Sequence, residues 1–203
     1  MENQANGLGK VNKKLTSVEK ATSTILNNIP VLSSYEEIVL NSLGKTLAKP
    51  VTALLSNPPS NVSSMDGYAL KNSDIDNGVL EFTVIDESVA GKSSSKTVAT
   101  MQTVRIFTGA KIPHGADRVI LQEDIKRLGN NLIKINKNKL ENNNFFIRKT
   151  GMDFKLGEKL IDKGEVLNTR NISLCVASGN SWVTIRRKPK IGIISTGNEL
   201  LKF

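Results

Sequence analysis

The chain has 203 residues and a formal net charge of +9, with 38% hydrophobic and 23% charged residues. That length leaves room for one or two domains with a real core, and the composition is that of an ordinary soluble chain. No run of about 18 apolar residues occurs, so no membrane-spanning helix is expected. The first residues lack the apolar stretch of a signal peptide, and a cytoplasmic location is the expectation. A single cysteine, Cys175, rules out an internal disulfide, and with a single histidine, His114, it cannot build a His/Cys zinc site. Metal chemistry would have to use oxygen ligands, which suits magnesium. Neither a Walker-type phosphate loop nor a Gly-x-Gly-x-x-Gly run is present. The positive charge fits an anionic partner, either nucleic acid or a phosphorylated small molecule. The alternative is compositional drift, which the excess favours, being mostly lysine scattered among asparagine; the few aromatics do not interleave with it, which disfavours nucleic acid.

In chain order, residues 1–14 read as a disordered lead. Thr16 or Ser17 caps a helix whose apolar face, Val18, Ala21, Ile25 and Leu26, runs to about Asn28 before Pro30 ends it. Ser33 or Ser34 looks like a second cap, with Glu36 and Glu37 in the first turn, an apolar face from Ile38 to Leu43, and Gly44 as the stop. An extended connector follows over 46–53, then the breaker cluster Asn57-Pro58-Pro59-Ser60. From Asn61 the texture changes to short strands: 79–85 after an Asn77-Gly78 turn, a broken one within 96–106, then 118–122 and 132–135. These predict a small barrel or sandwich. The Asn/Lys-rich stretch 137–144 reads as a surface loop. Order returns at Phe145, a helix is expected over 169–178 with Asn168 or Thr169 as its cap, and a strand over 182–185. A basic linker, Arg186-Arg187-Lys188, leads to the fully apolar run Ile191-Gly192-Ile193-Ile194, the pattern of a buried parallel strand. One such strand cannot satisfy itself, so the sequence reads as a piece of a larger protein or a gene product cut short.

Three stretches carry the chemistry. The first is Ser63-Ser64-Met65-Asp66-Gly67-Tyr68-Ala69, where Gly67 suggests a turn and Asp66 a carboxylate free to meet a ligand. The second is Arg105-Ile106-Phe107-Thr108-Gly109-Ala110, in which a hydroxyl beside glycine suits an anion nest. The third is Ser195-Thr196-Gly197-Asn198-Glu199, a turn at the end of an apolar strand, where α/β sheets bind ligands. Between the last two, Arg148 suits a phosphate, and Asp153 suits a metal or the arginine itself. The bland alternative for each is a turn residue or a surface ion pair. His114 and Cys175 read as a surface residue and a buried filler.

Ser-Met-Asp-Gly-Tyr-Ala, Arg-Ile-Phe-Thr-Gly-Ala, Gly151-Met152-Asp153 and Ser-Thr-Gly-Asn-Glu-Leu together resemble the MoeA family, molybdopterin molybdenumtransferases related to the E domain of gephyrin. The resemblance runs from about Thr16 onward and covers the N-terminal half of a typical member. It implies an α+β, multidomain fold: a discontinuous α/β domain I (15–56 and 144–187), an inserted β-rich, barrel-like domain II (57–143), and the start of an α/β domain III (188–203). It implies insertion of molybdenum from molybdate into adenylylated molybdopterin, with release of AMP, by a homodimer. Asp66, Thr108 and Glu199 would then be catalytic, and Arg148, Asp153, Ser195, Thr196 and Gly197 substrate-binding. Asp66, Asp153 and Glu199 would hold Mg2+. The sequence departs from the family at Met152, Thr150 and Asn198, where an acid, often an arginine, and an aspartate are usual. The alternative expectation is a non-catalytic dimerisation or scaffold module of the same family.

Overall fold

A computed structural model describes residues 16–140 and 144–194. The expected lead over 1–14 and the turn carrying Ser195, Thr196, Gly197, Asn198 and Glu199 lie outside the described residues. The chain divides into two units, residues 1–34 with 186–203, and residues 35–185. In the first, helix α1 (Val18–Asn28) begins at the expected cap, with Ser17 Oγ accepting from the Lys20 amide at 3.3 Å. None of its residues is buried. The two segments of this unit meet where the Arg187 amide donates to the Ser33 carbonyl and Arg186 Nη1 to the Leu32 carbonyl, both at 3.0 Å. The strand expected at 191–194 has no ladder partner among the described residues, and Ile191, Ile193 and Ile194 are exposed. An all-apolar strand needs paired neighbours to be buried, and the described residues supply none.

The second unit holds the remaining elements in this order: β1 (Ser34–Ile38), β2 (Val51–Thr52), β3 (Val62–Ser63), β4 (Gly67–Leu70), α2 (Asn72–Asp76), β5 (Glu81–Ser88), β6 (Gln102–Ile106), β7 (Arg118–Leu121), β8 (Ile125–Arg127), β9 (Leu132–Ile135), β10 (Ile147–Arg148), β11 (Lys159–Ile161), α3 (Thr169–Ala177) and β12 (Trp182–Arg186). The helix expected after Ser34 is instead strand β1 followed by a single 3-10 turn, Val39–Asn41. The alternation of exposed and half-buried residues over Ser34–Ile38 lets Tyr35 and Glu37 face inward while β1 pairs with β12. That long-range ladder overrides the local cap signal.

One hydrophobic core joins sequence-distant segments: Val39, Leu47 and Val51 pack with Ile161, Leu167, Cys175, Val183 and Ile185. Backbone bonds stitch the same segments together, the Leu47 amide to the Glu165 carbonyl and the Ala48 amide to the Thr184 carbonyl. Helix α3 is capped as predicted by Asn168, which exchanges side-chain bonds with Asn171 in a reciprocal box. Losing that cap in Asn168→Ala costs about 1 kcal/mol, measured by urea unfolding.

The β-rich half, expected as a barrel or sandwich, is a six-stranded mixed sheet in the order β7-β4-β6-β5-β9-β8. Strands β7 and β8 sit at opposite edges yet are joined by one 3-10 turn, Gln122–Asp124. A flat sheet would separate the edges by about 24 Å, whereas four residue steps span at most about 14 Å. The sheet is therefore curled toward a barrel. Its inner strand β4 is buried on both faces: Tyr68 and Leu70 join Phe82, Ile120, Ile133 and Ile135, while Ala69 joins Ile106, Ala110 and Val119. The fold is thus a discontinuous α/β part with a barrel-like β insertion. No helix among the described residues is long and apolar enough to cross a membrane.

Candidate functional site

Asp66 lies immediately before β4, half-buried. Gly67 does not form the expected turn; it opens a strand paired on both sides, to Ile106 and to Leu121. Glycine is needed there for closeness: a Cβ at residue 67 would lie 2.0 Å from the Ile120 carbonyl oxygen. Asp66 is also not wholly free. Its Oδ1 accepts from the Thr108 amide at 2.8 Å and from the Thr108 hydroxyl at 2.9 Å, while Oδ2 takes no hydrogen bond among the described residues. The structure therefore joins two residues that the sequence offered separately. Both come from turns at one end of the same sheet, since Thr108 follows β6 and β6 pairs with β4.

The Thr108 amide, and after it the Thr108 hydroxyl, hold the Asp66 carboxyl below the usual carboxylate range, with a smaller contribution from the Arg105 charge. Asp66 is therefore ionised at neutral pH, with one oxygen held by Thr108. The exposed Thr108 and Gly109 carry that loop edge, and the Gly109 amide is already given to the Ser63 carbonyl at 2.8 Å.

Arg148 and Asp153 form a second cluster. Arg148 Nη2 meets Asp153 Oδ1 at 2.6 Å, and Asp153 Oδ2 accepts from Asn57 Nδ2 at 3.1 Å. The Asp153 amide also donates to the Asn57 carbonyl at 2.9 Å, so the breaker cluster holds this carboxylate by main chain and side chain together. No hydrogen bond or ion pair joins this cluster to Asp66 among the described residues. Both partners are about two-fifths exposed, at 43% and 41%. Arg148→Ala costs at most about 1 kcal/mol of stability by chemical denaturation. A fall in activity far larger than that would assign the arginine to substrate.

No group of three histidine, cysteine or carboxylate side chains gathers as a metal site among the described residues. Asp66 has one oxygen committed to Thr108, and both Asp153 oxygens are engaged. These residues do not by themselves fit the expected magnesium. Asp117 is a turn carboxylate, accepting from the Asn72 amide at 2.7 Å. Cys175 is buried, and burial pushes its thiol up; His114 is exposed. Two residues near Asp66 escaped sequence reasoning, Arg105 and Gln122. Arg105 Nη2 meets Gln122 Oε1 at 2.6 Å, and the Gln122 amide donates to the Asp66 carbonyl at 3.2 Å. The local signal was Arg105 two residues before Phe107 on one strand face; that Tyr68 lies opposite Arg105 comes from the β4–β6 register.

Comparison with known proteins agrees with this architecture. Residues 16–179 match the family model described as the MoeA N-terminal region, domains I and II. A molybdopterin molybdenumtransferase of Nostoc sp. is 32% identical over 195 residues, 92% of this chain and 44% of that protein. Its counterpart in Staphylococcus epidermidis is 33% identical over 191 residues, 92% of this chain and 45% of that one. A crystal structure of the molybdopterin biosynthesis moeA protein from Pyrococcus horikoshii superposes with a TM-score of 0.82 at 32% identity, covering 93% of this chain and 50% of that chain. The chain thus spans less than half the length of the two curated relatives. With its matched region taking in both β4 and the Asp66–Thr108 contact, this chain belongs to the MoeA N-terminal family.

Proposed function

We propose that this chain supplies domains I and II of a molybdenum-inserting enzyme, which joins molybdate to adenylylated molybdopterin and releases AMP. The observation that carries this reading is the Asp66 carboxylate, held by the amide and hydroxyl of Thr108 inside the span that matches the family. Cleaving the phosphoanhydride adds one water across the P–O bond, sends AMP away and leaves the pterin phosphate. In this reading Asp66 Oδ2 accepts the proton of the entering water or orients it, and Thr108 keeps the carboxylate ionised and aimed. Arg148, positioned by Asp153, offers its remaining donors to an anionic oxygen of substrate. Ser195, Thr196 and Gly197 would bind substrate and Glu199 would act in catalysis. Two copies would form a dimer, with Asp66 of one facing the pterin-binding domain of the other. One core drawn from both flanking segments and another drawn from within 68–135 support a division into domain I at 15–56 and 144–187 and domain II at 57–143.

Genetic replacement tests the proposal. This chain is exchanged for the matching half of a full-length relative, and the chimera is expressed in a bacterium lacking its own molybdopterin molybdenumtransferase. Restored molybdoenzyme activity is expected. A folded chimera that leaves molybdoenzymes inactive would favour a non-catalytic module instead.

A further inference from the structure

Arg105 stands where three things converge. Its Nη1 donates to the Gly67 carbonyl at 3.1 Å, the residue directly after Asp66. Its Nη2 donates to Gln122 Oε1 at 2.6 Å, and Gln122 in turn gives its amide to the Asp66 carbonyl. Its guanidinium lies over the Tyr68 ring at 5.0 Å and the Phe107 ring at 4.7 Å. Phe107 is the neighbour of Thr108, whose amide and hydroxyl hold the Asp66 carboxylate. One side chain therefore ties the start of β4, the end of β7 and the turn after β6.

We propose that Arg105 is the positioning residue for Asp66: stacked between Tyr68 and Phe107 and forked onto Gly67 and Gln122, it fixes the strand end from which Asp66 projects against the loop that grips its carboxylate. The inference rests on the reading of Asp66 as a site carboxylate. The geometry calls for arginine specifically. A planar guanidinium directs two donors at diverging acceptors while both of its faces remain available for rings. Lysine would keep the charge, but its point-like ammonium lacks the planar fork and the flat faces that the two rings meet. Charge alone and positioning are thereby separable by Arg105→Lys.

The test follows the Thr108 amide proton by 1H–15N NMR in the wild-type chain and in D66N, R105K, R105M and Q122A. D66N gives the resonance position without the carboxylate contact. Both Arg105 variants are expected to move the Thr108 amide most of the way to that position, and Q122A part of the way. The ladder amides of Val104 and Val119 should keep their shifts. In turnover assays R105K should lose kcat about tenfold or more with KM little changed, the pattern of an interaction that matters in the transition state. A Thr108 amide unmoved in R105K and R105M would overturn the positioning role. If R105M does not fold, an unmoved amide in Q122A does the same. Turnover retained in D66N would instead sink the functional reading of Asp66, so the two failures are distinguishable.

Discussion

Asp66→Asn is expected to lower molybdate-dependent AMP release by about 10²–10³-fold, the range seen when one preorganised polar group is lost from a reacting site. The amide keeps the shape of the side chain, and its oxygen can still accept from Thr108. What it loses is the negative charge and the ability of the second oxygen to take a proton. Thr108→Val should be milder, about tenfold. The larger influence on Asp66 is the Thr108 backbone amide, which the substitution leaves in place. The pH dependence follows with a definite sign. The folded carboxyl ionises below its ordinary range, so its grip on Thr108 contributes stability above the ordinary carboxylate pKa. That contribution is lost as pH falls from the ordinary value through the lowered folded one. The Thr108 amide resonance should therefore titrate with a midpoint below the ordinary aspartate value. A midpoint at or above the ordinary aspartate value would contradict this account.

Gly67→Ala is expected to be the most damaging small substitution in the sheet. The added methyl would sit 2.0 Å from the Ile120 carbonyl oxygen and 3.1 Å from a Val119 methyl. Neither can yield cheaply, because Ile120 and Val119 belong to β7 and pair with Tyr68 and Ala69 of β4. Separating β4 from β7 would break a ladder buried on both faces. A loss of about 3 kcal/mol is expected, the upper part of the range for overpacking. That corresponds to a fall in Tm of roughly 6–12 °C for a chain of this size. Gly129→Ala is the control, since nothing lies within 4 Å of a Cβ there. It should stay within about 0.5 kcal/mol of wild type. Calorimetry on both variants decides the matter. Equal stability for the two would contradict the close approach of β4 and β7.

The sequence carried most of the elements with a local signature. Ser17 and Asn168 read as caps, Asn77-Gly78 as a turn, and the apolar runs of β7 and β9 as strands, because each rests on residues close in sequence. Strand β1 was misread because its partner lies at the other end of the second unit. Near Ser34 nothing announces β12, while a serine followed by two glutamates does announce a helix. Strand β8 and helix α2 were missed because three and five residues hold too little pattern. Gly67 misled for a related reason: glycine marks both a permitted turn and a close approach, and only the position of Ile120 tells them apart. The motifs flagged Asp66 and Thr108 separately, yet their contact, like the Arg105–Gln122 bridge, comes from strand order in the sheet. Strand order is a long-range property that local pattern does not encode.

The measurement closest to the central claim is AMP release from adenylylated molybdopterin, with and without molybdate, by this chain alone and mixed with the C-terminal half of a full-length relative. The account predicts release that depends on molybdate in at least one of these conditions. No molybdate-dependent release in either, from protein shown to be folded, would contradict a catalytic role for the Asp66–Thr108 site.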